Sequence, residues 1–198
     1  MHLNQAKFLM SCSKLNQMPT DNGFEIALVG RSNAGKSSTL NLLTHQKRLA
    51  FTSKTPGRTQ LINIFSIDEQ RRLIDLPGYG FAAVPLAVKQ SWQKLINQYL
   101  QERQSLKGLV LIADCRHGLK PIDRQVLEWS VESNLPILLL LNKADKLSHN
   151  QQQKCLQQIK PDLVMLPKDL LNYQLFSTKS KQGIETVNQW VTTRLAFS

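Results

Sequence analysis

The feature that most constrains this chain is a glycine loop set between an apolar run and a helix-like segment. Residues 30–37 read Gly-Arg-Ser-Asn-Ala-Gly-Lys-Ser and fit the pattern G-x-x-x-x-G-K-[ST]. The run from Phe24 to Val29 precedes the loop and is typical of a strand, and residues 37–43 carry three leucines without Gly or Pro. A strand, a glycine loop and a helix in this order predict a phosphate-binding loop in an α/β fold, rather than an ordinary glycine turn.

The residue types in this loop suit a triphosphate with its metal ion. Glycines let backbone N–H groups turn inward, the Lys36 ammonium can reach the β- and γ-phosphates, and the Ser37 hydroxyl can ligate Mg²⁺. We therefore expect the whole loop to contact phosphate, through Gly30, Arg31, Ser32, Asn33, Ala34, Gly35, Lys36 and Ser37.

A second motif, Asn142-Lys143-Ala144-Asp145, lies far downstream and addresses the choice of base. A carboxylate can accept from both the ring N–H and the exocyclic amine of guanine, whereas adenine offers no such pair of donors. By itself this sequence could be an ordinary polar loop after a strand. Together with the phosphate loop it predicts that the chain binds GTP rather than ATP.

Two further segments fit the same chemistry. Asp75-Leu76-Pro77-Gly78 fits D-x-x-G, in which Asp75 can hold Mg²⁺ through a water and the Gly78 N–H can reach the γ-phosphate. Many GTPases place a water-orienting glutamine directly after this glycine, but this chain has Tyr79. A phenol is no simple substitute, so we expect slow intrinsic hydrolysis that a partner or a monovalent cation stimulates.

The segment from Thr55 to Gln60 lies where a switch is expected, between the phosphate loop and Asp75. A threonine hydroxyl there can bind Mg²⁺ only while the γ-phosphate is present, so the segment would change order on hydrolysis. Thr59 directly precedes a strand-like run that starts at Leu61, and this position favours it over Thr55 without excluding the latter.

Apolar strand-like runs alternate with longer helix-like segments, which is typical of a sheet covered on both faces. The expected architecture is a mostly parallel six-stranded sheet in one domain over residues 23–198, after an N-terminal arm over 1–22. Each motif falls at the end of a predicted strand, where open α/β sheets bind ligands. The predicted strands are Phe24 to Val29, Leu61 to Ile67, Arg72 to Asp75, Leu109 to Asp114, Ile137 to Asn142 and Tyr173 to Ser177. Helical faces are predicted at Val88, Trp92, Leu95, Ile96, Tyr99 and Leu100, and at Ile184, Val187, Trp190 and Val191.

Composition limits the location and the partners. No apolar stretch approaches the length of a membrane span, and three cysteines without C-x-x-C spacing indicate free thiols, so we expect a cytoplasmic protein without stable membrane insertion. The net charge is +11, and residues 26–67 contain no acidic side chain. This excess suggests contact with RNA phosphates. A solvated basic face that serves solubility is the alternative.

The motifs together resemble the EngB (YihA/YsxC) family of bacterial GTPases. The likeness extends over nearly the whole chain from about residue 24, with Asp114-Cys115-Arg116-His117 as a further match and with Phe81 and Gly118 as modest departures. It implies a Ras-like GTPase fold, Mg²⁺ dependence, a role in assembling the large ribosomal subunit, and a link to cell division and septation.

The resemblance also implies roles for individual residues. Lys36, Thr59 and Gly78 would be catalytic, and Thr59 would be the switch ligand of Mg²⁺ beside Ser37 and Asp75. Asn33 resembles the asparagine of potassium-activated relatives, although a loop residue that bonds its own backbone is an equal alternative. The implied GTP contacts outside the phosphate loop are Gly57, Arg58, Thr59, Gln60, Leu61, Asp75, Leu76, Pro77, Gly78, Asn142, Lys143, Ala144, Asp145, Phe176, Ser177, Thr178 and Lys179.

Two other classes of protein fit parts of the sequence. A phosphate-loop kinase would use ATP, which the motif at residues 142–145 argues against. A membrane-surface protein could use the positive charge on anionic lipid, but the chain shows neither a lipidation motif nor an evident basic amphipathic helix.

Overall fold

The computed structural model describes residues 2–50, 61–79, 86–164 and 166–196, and within the helix at 86–102 it describes no side chains at 86–89 or 91–93. The predicted switch residues Gly57, Arg58, Thr59 and Gln60 lie outside the described residues, and so do Thr55 and Phe81. Among the described helices, none combines the length and apolar character that crossing a bilayer requires.

A single mixed sheet organises the described residues. Its strand order is β1-β3-β4-β2-β5-β6-β7, with β1 antiparallel to β3, β3 antiparallel to β4, and all other neighbours parallel. The mostly parallel sheet is confirmed, whereas the predicted number of six strands is wrong. The seven strands are β1 (Lys7–Cys12), β2 (Phe24–Gly30), β3 (Ile62–Ser66), β4 (Arg71–Asp75), β5 (Leu106–Asp114), β6 (Ile137–Asn142) and β7 (Leu171–Leu175).

The seventh strand comes from the predicted N-terminal arm. In β1, Lys7 lies opposite Ser66 and Cys12 lies opposite Ile62, so the arm adds an edge strand to β3. Only Cys12 is fully buried in this strand, so its residues do not show the alternation that reveals a strand in a sequence. The proposed division into an arm and a domain at residue 22 stays a prediction.

Helices cover both faces of the sheet, as expected. Buried side chains of α1 and α5 pack on one face, and those of α2, α3 and α4 pack on the other. Among the residues of the predicted helical faces, Leu95, Ile96, Tyr99, Leu100, Val187, Trp190 and Val191 are buried. The helices are α1 (Lys36–Leu43), α2 (Leu86–Glu102), α3 (Pro121–Glu132), α4 (His149–Val164) and α5 (Ile184–Leu195).

Burial on both faces explains why the central strands were visible in the sequence. Residues 109–112 of β5 and 137–141 of β6 are at most 1% exposed, and successive side chains enter the cores on opposite faces. Strand β2 lies between β4 and β5. The connection that leaves its carboxyl end runs through α1 to β3 on one side, whereas the connection that leaves β4 runs through α2 to β5 on the other side. This is the kind of crevice in which open α/β sheets bind ligands.

A cluster of buried charges lies at the other end of β2, close to its first residue. The Glu25 side chain is fully buried, and Arg103 donates to it from Nη2 at 2.7 Å and from Nε at 3.0 Å. The Tyr99 hydroxyl donates at 3.1 Å, and an Arg72 Nη1 donates at 3.4 Å. Burial, reinforced by the Glu25 carboxylate, raises the pKa of Tyr99 well above its usual value. The cluster fixes the end of α2 against β2 and β4.

Replacing Glu25 with glutamine should destabilise the fold strongly, because two buried guanidinium groups lose the carboxylate that they share. Among the described residues, only Arg103 keeps a second one, Asp21 at 3.4 Å. We expect a loss of about 3–5 kcal/mol in the free energy of unfolding by urea, the range for breaking a buried ion pair on one side. Asp162→Asn is the matched control, because it breaks a more exposed pair with Arg124 at 2.8 Å that is worth about 0–1 kcal/mol. Equal effects of the two substitutions would contradict the role assigned to the cluster.

Candidate functional site

The phosphate loop leaves β2 at Gly30 and enters α1 at Lys36. Gly35 has a φ of 111°, and a Cβ built on it would lie 2.2 Å from Nδ2 of Asn142. A side chain here would therefore collide with the motif that follows β6. The missing side chain lets the loop and that motif approach each other, and it leaves backbone N–H groups at the start of α1 available to an anion.

Lys36 is buried beneath the loop that follows β4. The residue as a whole is 8% exposed, and its Nζ donates to the carbonyl of Gly30 at 3.2 Å. A Cβ built on Gly78 would lie only 2.6 Å from this Nζ, so the two loops are in close contact. Burial lowers the pKa of Lys36, and the nearby Asp75 carboxylate offsets part of the effect. An ammonium in this position can exchange the Gly30 carbonyl for a phosphate oxygen.

Asp75 and Ser37 offer oxygen atoms beside Lys36. The Ser37 hydroxyl donates to Oδ2 of Asp75 at 3.3 Å, and the buried Oδ1 has no hydrogen-bond partner among the described residues. Burial raises the pKa of Asp75, against the opposing effects of Lys36 and Ser37. A hydroxyl and an unpaired carboxylate oxygen are hard donors of the kind that Mg²⁺ prefers. These two residues therefore fit a magnesium ion that keeps some water and phosphate ligands.

The backbone of the D-x-x-G segment lies along the phosphate loop. Leu76 and Pro77 are buried, and the Leu76 N–H donates to the carbonyl of Leu28 at 3.1 Å. The next contacts are made by Tyr79, whose N–H donates to Gly30 at 3.3 Å and whose carbonyl accepts from the Ser32 N–H at 2.8 Å. Gly78 is thereby held over the loop, where its N–H can face a terminal phosphate.

Sequence reasoning missed the partner of the Tyr79 side chain. The buried hydroxyl donates to Oδ1 of Asp123 in α3 at 2.5 Å. Burial, together with the Asp123 carboxylate, raises the pKa of the phenol well above its usual value. In this arrangement the phenol connects the loop after β4 to α3. Tyr79 and Asp123 are 44 residues apart in the sequence and meet only because α3 packs against the loop that follows β4. No local sequence pattern could have indicated this contact.

The predicted base-selecting motif, Asn142 to Asp145, is bonded directly to the phosphate loop. Nδ2 of the buried Asn142 donates to the Ala34 carbonyl at 2.7 Å, and Nζ of Lys143 donates to the Asn33 carbonyl at 2.7 Å. Oδ1 of Asn142 is buried and lacks a hydrogen-bond partner among the described residues. These bonds fix the distance between the two predicted contact regions of a nucleotide.

Asp145 lies at the end of this motif and is held by the loop after β7. The hydroxyl of the buried Ser177 donates to Oδ1 of Asp145 at 2.6 Å, and its oxygen accepts from the backbone N–H of Lys179 at 3.2 Å. The Ser177 hydrogen bond is the main cause of a lowered pKa at Asp145, so this carboxyl is ionised at neutral pH. A fixed carboxylate can accept two N–H donors from guanine.

The other residues of the loop after β7 lie beside Asp145 and Ser177. Phe176 is fully buried, and its carbonyl accepts from the Ala144 N–H at 3.1 Å. Thr178 is half-buried and Lys179 is exposed. Strand β7 ends at Leu175, two residues earlier than expected, so the whole segment from Phe176 to Lys179 belongs to the loop.

A charged pair after β5 supports the same region. Asp114 accepts from Nε and Nη2 of Arg116 at 2.9 and 2.7 Å and forms an ion pair with Lys143 at 2.9 Å. Despite partial burial, these partners hold the pKa of Asp114 well below its usual range. The sequence left open whether Arg116 does more than support its loop, and the adjacent ends of β5 and β6 were a usable signal that Asp114 and Lys143 lie close together. Asp114 orients the lysine that holds the Asn33 carbonyl.

The structure thus brings together the predicted residues of the phosphate loop, of D-x-x-G and of the two loops after β6 and β7. Leu61, just before β3, is 36% exposed, and of the predicted GTP contacts from Gly57 to Leu61 it is the one that the structure describes. The choice between Thr55 and Thr59 stays a prediction.

Comparisons with known proteins agree with this geometry. Residues 25–143 match the family described as "50S ribosome-binding GTPase", and residues 95–196 match the "Elongation factor Tu GTP binding domain". A "Probable GTP-binding protein EngB" of Mannheimia succiniciproducens is 50% identical over 185 residues, which is 93% of this chain and 90% of the relative. The namesake of Shigella flexneri is 48% identical over 189 residues, 96% and 90% of the two chains.

Solved structures show the same fold. The crystal structure of a probable GTP-binding protein engB has a TM-score of 0.69 at 24% identity, over 86% of this chain and 98% of that one. Era in complex with MgGDPNP and nucleotides 1506-1542 of 16S ribosomal RNA has a TM-score of 0.67 at 20% identity, over 89% and 58% of the chains. The identity to the curated relatives extends over nearly their whole length, and the expected resemblance is confirmed. This chain belongs to the EngB family of GTP-binding proteins and is a GTP-hydrolysing enzyme.

Proposed function

We propose that this GTPase is a nucleotide-dependent switch in the assembly of the large ribosomal subunit. The observation that carries the proposal is the direct bonding of the base-selecting motif to the phosphate loop, by Asn142 at the Ala34 carbonyl and Lys143 at the Asn33 carbonyl. Such a site holds the two ends of a guanine nucleotide in one rigid unit. The matched family's description as a 50S ribosome-binding GTPase supports the destination.

The described residues suggest how GTP is held. Asp145 would accept the two N–H donors of guanine, Lys36 would turn from the Gly30 carbonyl to the β- and γ-phosphates, and the Gly78 N–H would contact the γ-phosphate. Ser37, Asp75 through a water, and Thr59 would hold Mg²⁺. When bound, this ion neutralises charge that develops on the phosphates during transfer to water.

Hydrolysis requires that a water be oriented without a glutamine after Gly78. The phenol of Tyr79 donates to Asp123 and carries no positive charge, so we look for a stimulating cation elsewhere in the site. We assign this role to K⁺ near Asn33, an exposed loop residue whose backbone carbonyl is fixed by Lys143. The φ of 60° at Asn33 is also consistent with the alternative, a residue present for the shape of the loop.

A ribosomal partner accounts for the charge of the chain. The net charge of +11, with no acidic residue between 26 and 67, exceeds what one nucleotide and its metal would need. A change in the switch segment with the γ-phosphate would couple RNA affinity to nucleotide state. Work on ribosomal particles would place the protein in the cytoplasm, and defects in their supply would connect it to cell division and septation.

Replacing Asp145 with asparagine should shift base preference from guanine toward xanthine, because the carboxylate that pairs with the guanine donors is lost. We expect GTP affinity to fall by roughly 100-fold or more and the ratio of XTP to GTP affinity to rise. Titration with both nucleotides measures this ratio, with Asp169→Asn, an exposed carboxylate on a surface loop, as the control. An unchanged ratio in a folded Asp145 variant would remove the assignment.

Hydrolysis should be faster in KCl than in NaCl of equal concentration. If K⁺ supplies charge at Asn33, the ratio of the two rates should be roughly tenfold in the wild type, a modest case of transition-state charge stabilisation. Asn33→Ala should bring the ratio to about one while GTP still binds. Equal wild-type rates in the two salts would rule out a potassium role.

Binding to large-subunit particles should depend on the nucleotide. With a non-hydrolysable GTP analogue the protein should co-sediment at least about fivefold more tightly than with GDP, the lower end of typical allosteric coupling. A series of salt concentrations separates this coupling from the general attraction of a basic protein to RNA. Identical binding in both states would reject the switch, and an absence of binding would reject the ribosomal partner.

A further inference from the structure

We propose that a groove at the β1 edge binds an unpaired RNA base, which stacks on Phe8 while Lys47 and Arg48 contact the flanking phosphates. The proposal rests on the proposed ribosomal function, for which it names an RNA-contacting surface. The groove lies between β1, β3 and the segment that follows α1, and none of its lining residues that the structure describes is a predicted contact of the nucleotide.

The groove has the size and the exposed aromatic ring that stacking requires. Its volume is about 800 Å³, within the range of roughly 300–1,000 Å³ that is usual for small-ligand sites. Phe8 is 54% exposed, although it stands beside the buried Phe65 with ring centroids 5.8 Å apart in an edge-to-face arrangement. The buried ring supports Phe8, and the open surface of Phe8 is free to receive another flat ring.

Charge selects the partner of this groove. Lys47 and Arg48 are both exposed, and the described residues that line the groove include no carboxylate. No acidic residue occurs in the sequence between 26 and 67. Cations beside an exposed aromatic ring form the arrangement with which proteins bind single-stranded nucleic acid, since every base has a flat face. A purely apolar peptide would gain nothing from the two cations.

The floor of the groove adds a polar group. The Ser11 hydroxyl donates to Oδ1 of Asn63 at 2.6 Å. This bond fixes the orientation of the amide, whose nitrogen can donate to an oxygen of a base or a phosphate.

The segment that carries Lys47 and Arg48 is held in place by hydrogen bonds within the protein, without a bound partner. Asn41 in α1 donates to the Ala50 carbonyl at 2.9 Å and accepts from the Ala50 N–H at 2.7 Å. Gln46 donates to the carbonyls of Asn4 and Ala6 at 3.0 and 2.7 Å. Both ends of the segment from Gln46 to Ala50 are thus tied down, which lowers the entropy that binding would cost.

The direct test is the affinity of the GDP-bound protein for a fluorescent single-stranded RNA of ten nucleotides, measured by anisotropy. Phe8→Leu keeps an apolar side chain but removes the ring, and it should weaken binding about tenfold. Lys47→Ala should reduce the slope of log affinity against log salt by about 0.7, the value for one phosphate contact on a single strand. A duplex of the same sequence should not respond to Phe8→Leu, because its bases are already stacked.

Matched controls come from the far side of the molecule. Tyr173→Leu removes an exposed ring on the opposite edge strand, and Lys154→Ala removes an exposed cation on α4. Both variants should bind the RNA within about twofold of the wild type, since neither residue is near the groove. GDP affinity reports whether each variant is folded.

Several results would overturn the groove assignment. The proposal fails if Phe8→Leu binds RNA with the affinity of the wild type. It also fails if the control variants lose as much RNA affinity, because the binding would then come from a general basic surface. If Phe8→Leu fails to fold, Phe8→Trp provides the second test: RNA should quench its additional indole fluorescence, and a lack of quenching refutes stacking. Phe8-dependent self-association or peptide binding in place of RNA binding would assign the groove to protein.

The groove and the ribosomal function can fail separately. If the wild type binds no large-subunit particles but still binds single-stranded RNA through Phe8, the proposed function fails and the groove stands. If particle binding persists unchanged in Phe8→Leu and Lys47→Ala, the groove assignment fails and the function stands.

Discussion

The rest of the site depends on the bonds between the base-selecting motif and the phosphate loop. Asn142 and Lys143 donate to the carbonyls of Ala34 and Asn33, each at 2.7 Å, and Gly35 leaves room for this approach. These side chains fix one loop at the end of β2 and another at the end of β6, two strands away. The distance between a bound base and its phosphates is therefore set by side-chain hydrogen bonds across the crevice.

The two ends of the parallel strands differ in their polar groups. Those near the amino ends stabilise the fold, and those at the carboxyl ends form the candidate site. Near the amino end of β2, the buried Glu25 and its arginine partners hold the end of α2 against the sheet. Among the described residues, three buried side-chain atoms lack a hydrogen-bond partner. Oδ1 of Asp75 and Oδ1 of Asn142 lie at the carboxyl ends of the strands, and the third is Nε of Arg194 in α5. Buried polar groups without partners are costly in a folded protein. A bound nucleotide and its cation would supply partners for the two atoms at the carboxyl ends of the strands.

The sequence predicted the parts of the molecule whose signals are local. Strands β5 and β6 are buried on both faces and appear as unbroken apolar runs, and the motif loops follow strand ends directly. Strand β1 was missed because an edge strand with a single fully buried residue, Cys12, has no periodic pattern. The Tyr79 hydrogen bond to Asp123 was also beyond reach, since it joins a turn to a helix 44 residues away. Such contacts follow from the packing of α3 on the sheet.

The buried charges of the site indicate how its two ligands depend on each other. Burial lowers the pKa of Lys36 and raises that of Asp75, so each group is charged at a cost that the other reduces only in part. A triphosphate placed at Lys36 adds negative charge close to Asp75 and would raise the cost of its ionisation. A divalent cation at Ser37 and Asp75 reverses this effect. With GTP and Mg²⁺ at the proposed positions, joint binding would therefore be favoured over binding of either one, and by linkage each would strengthen the other.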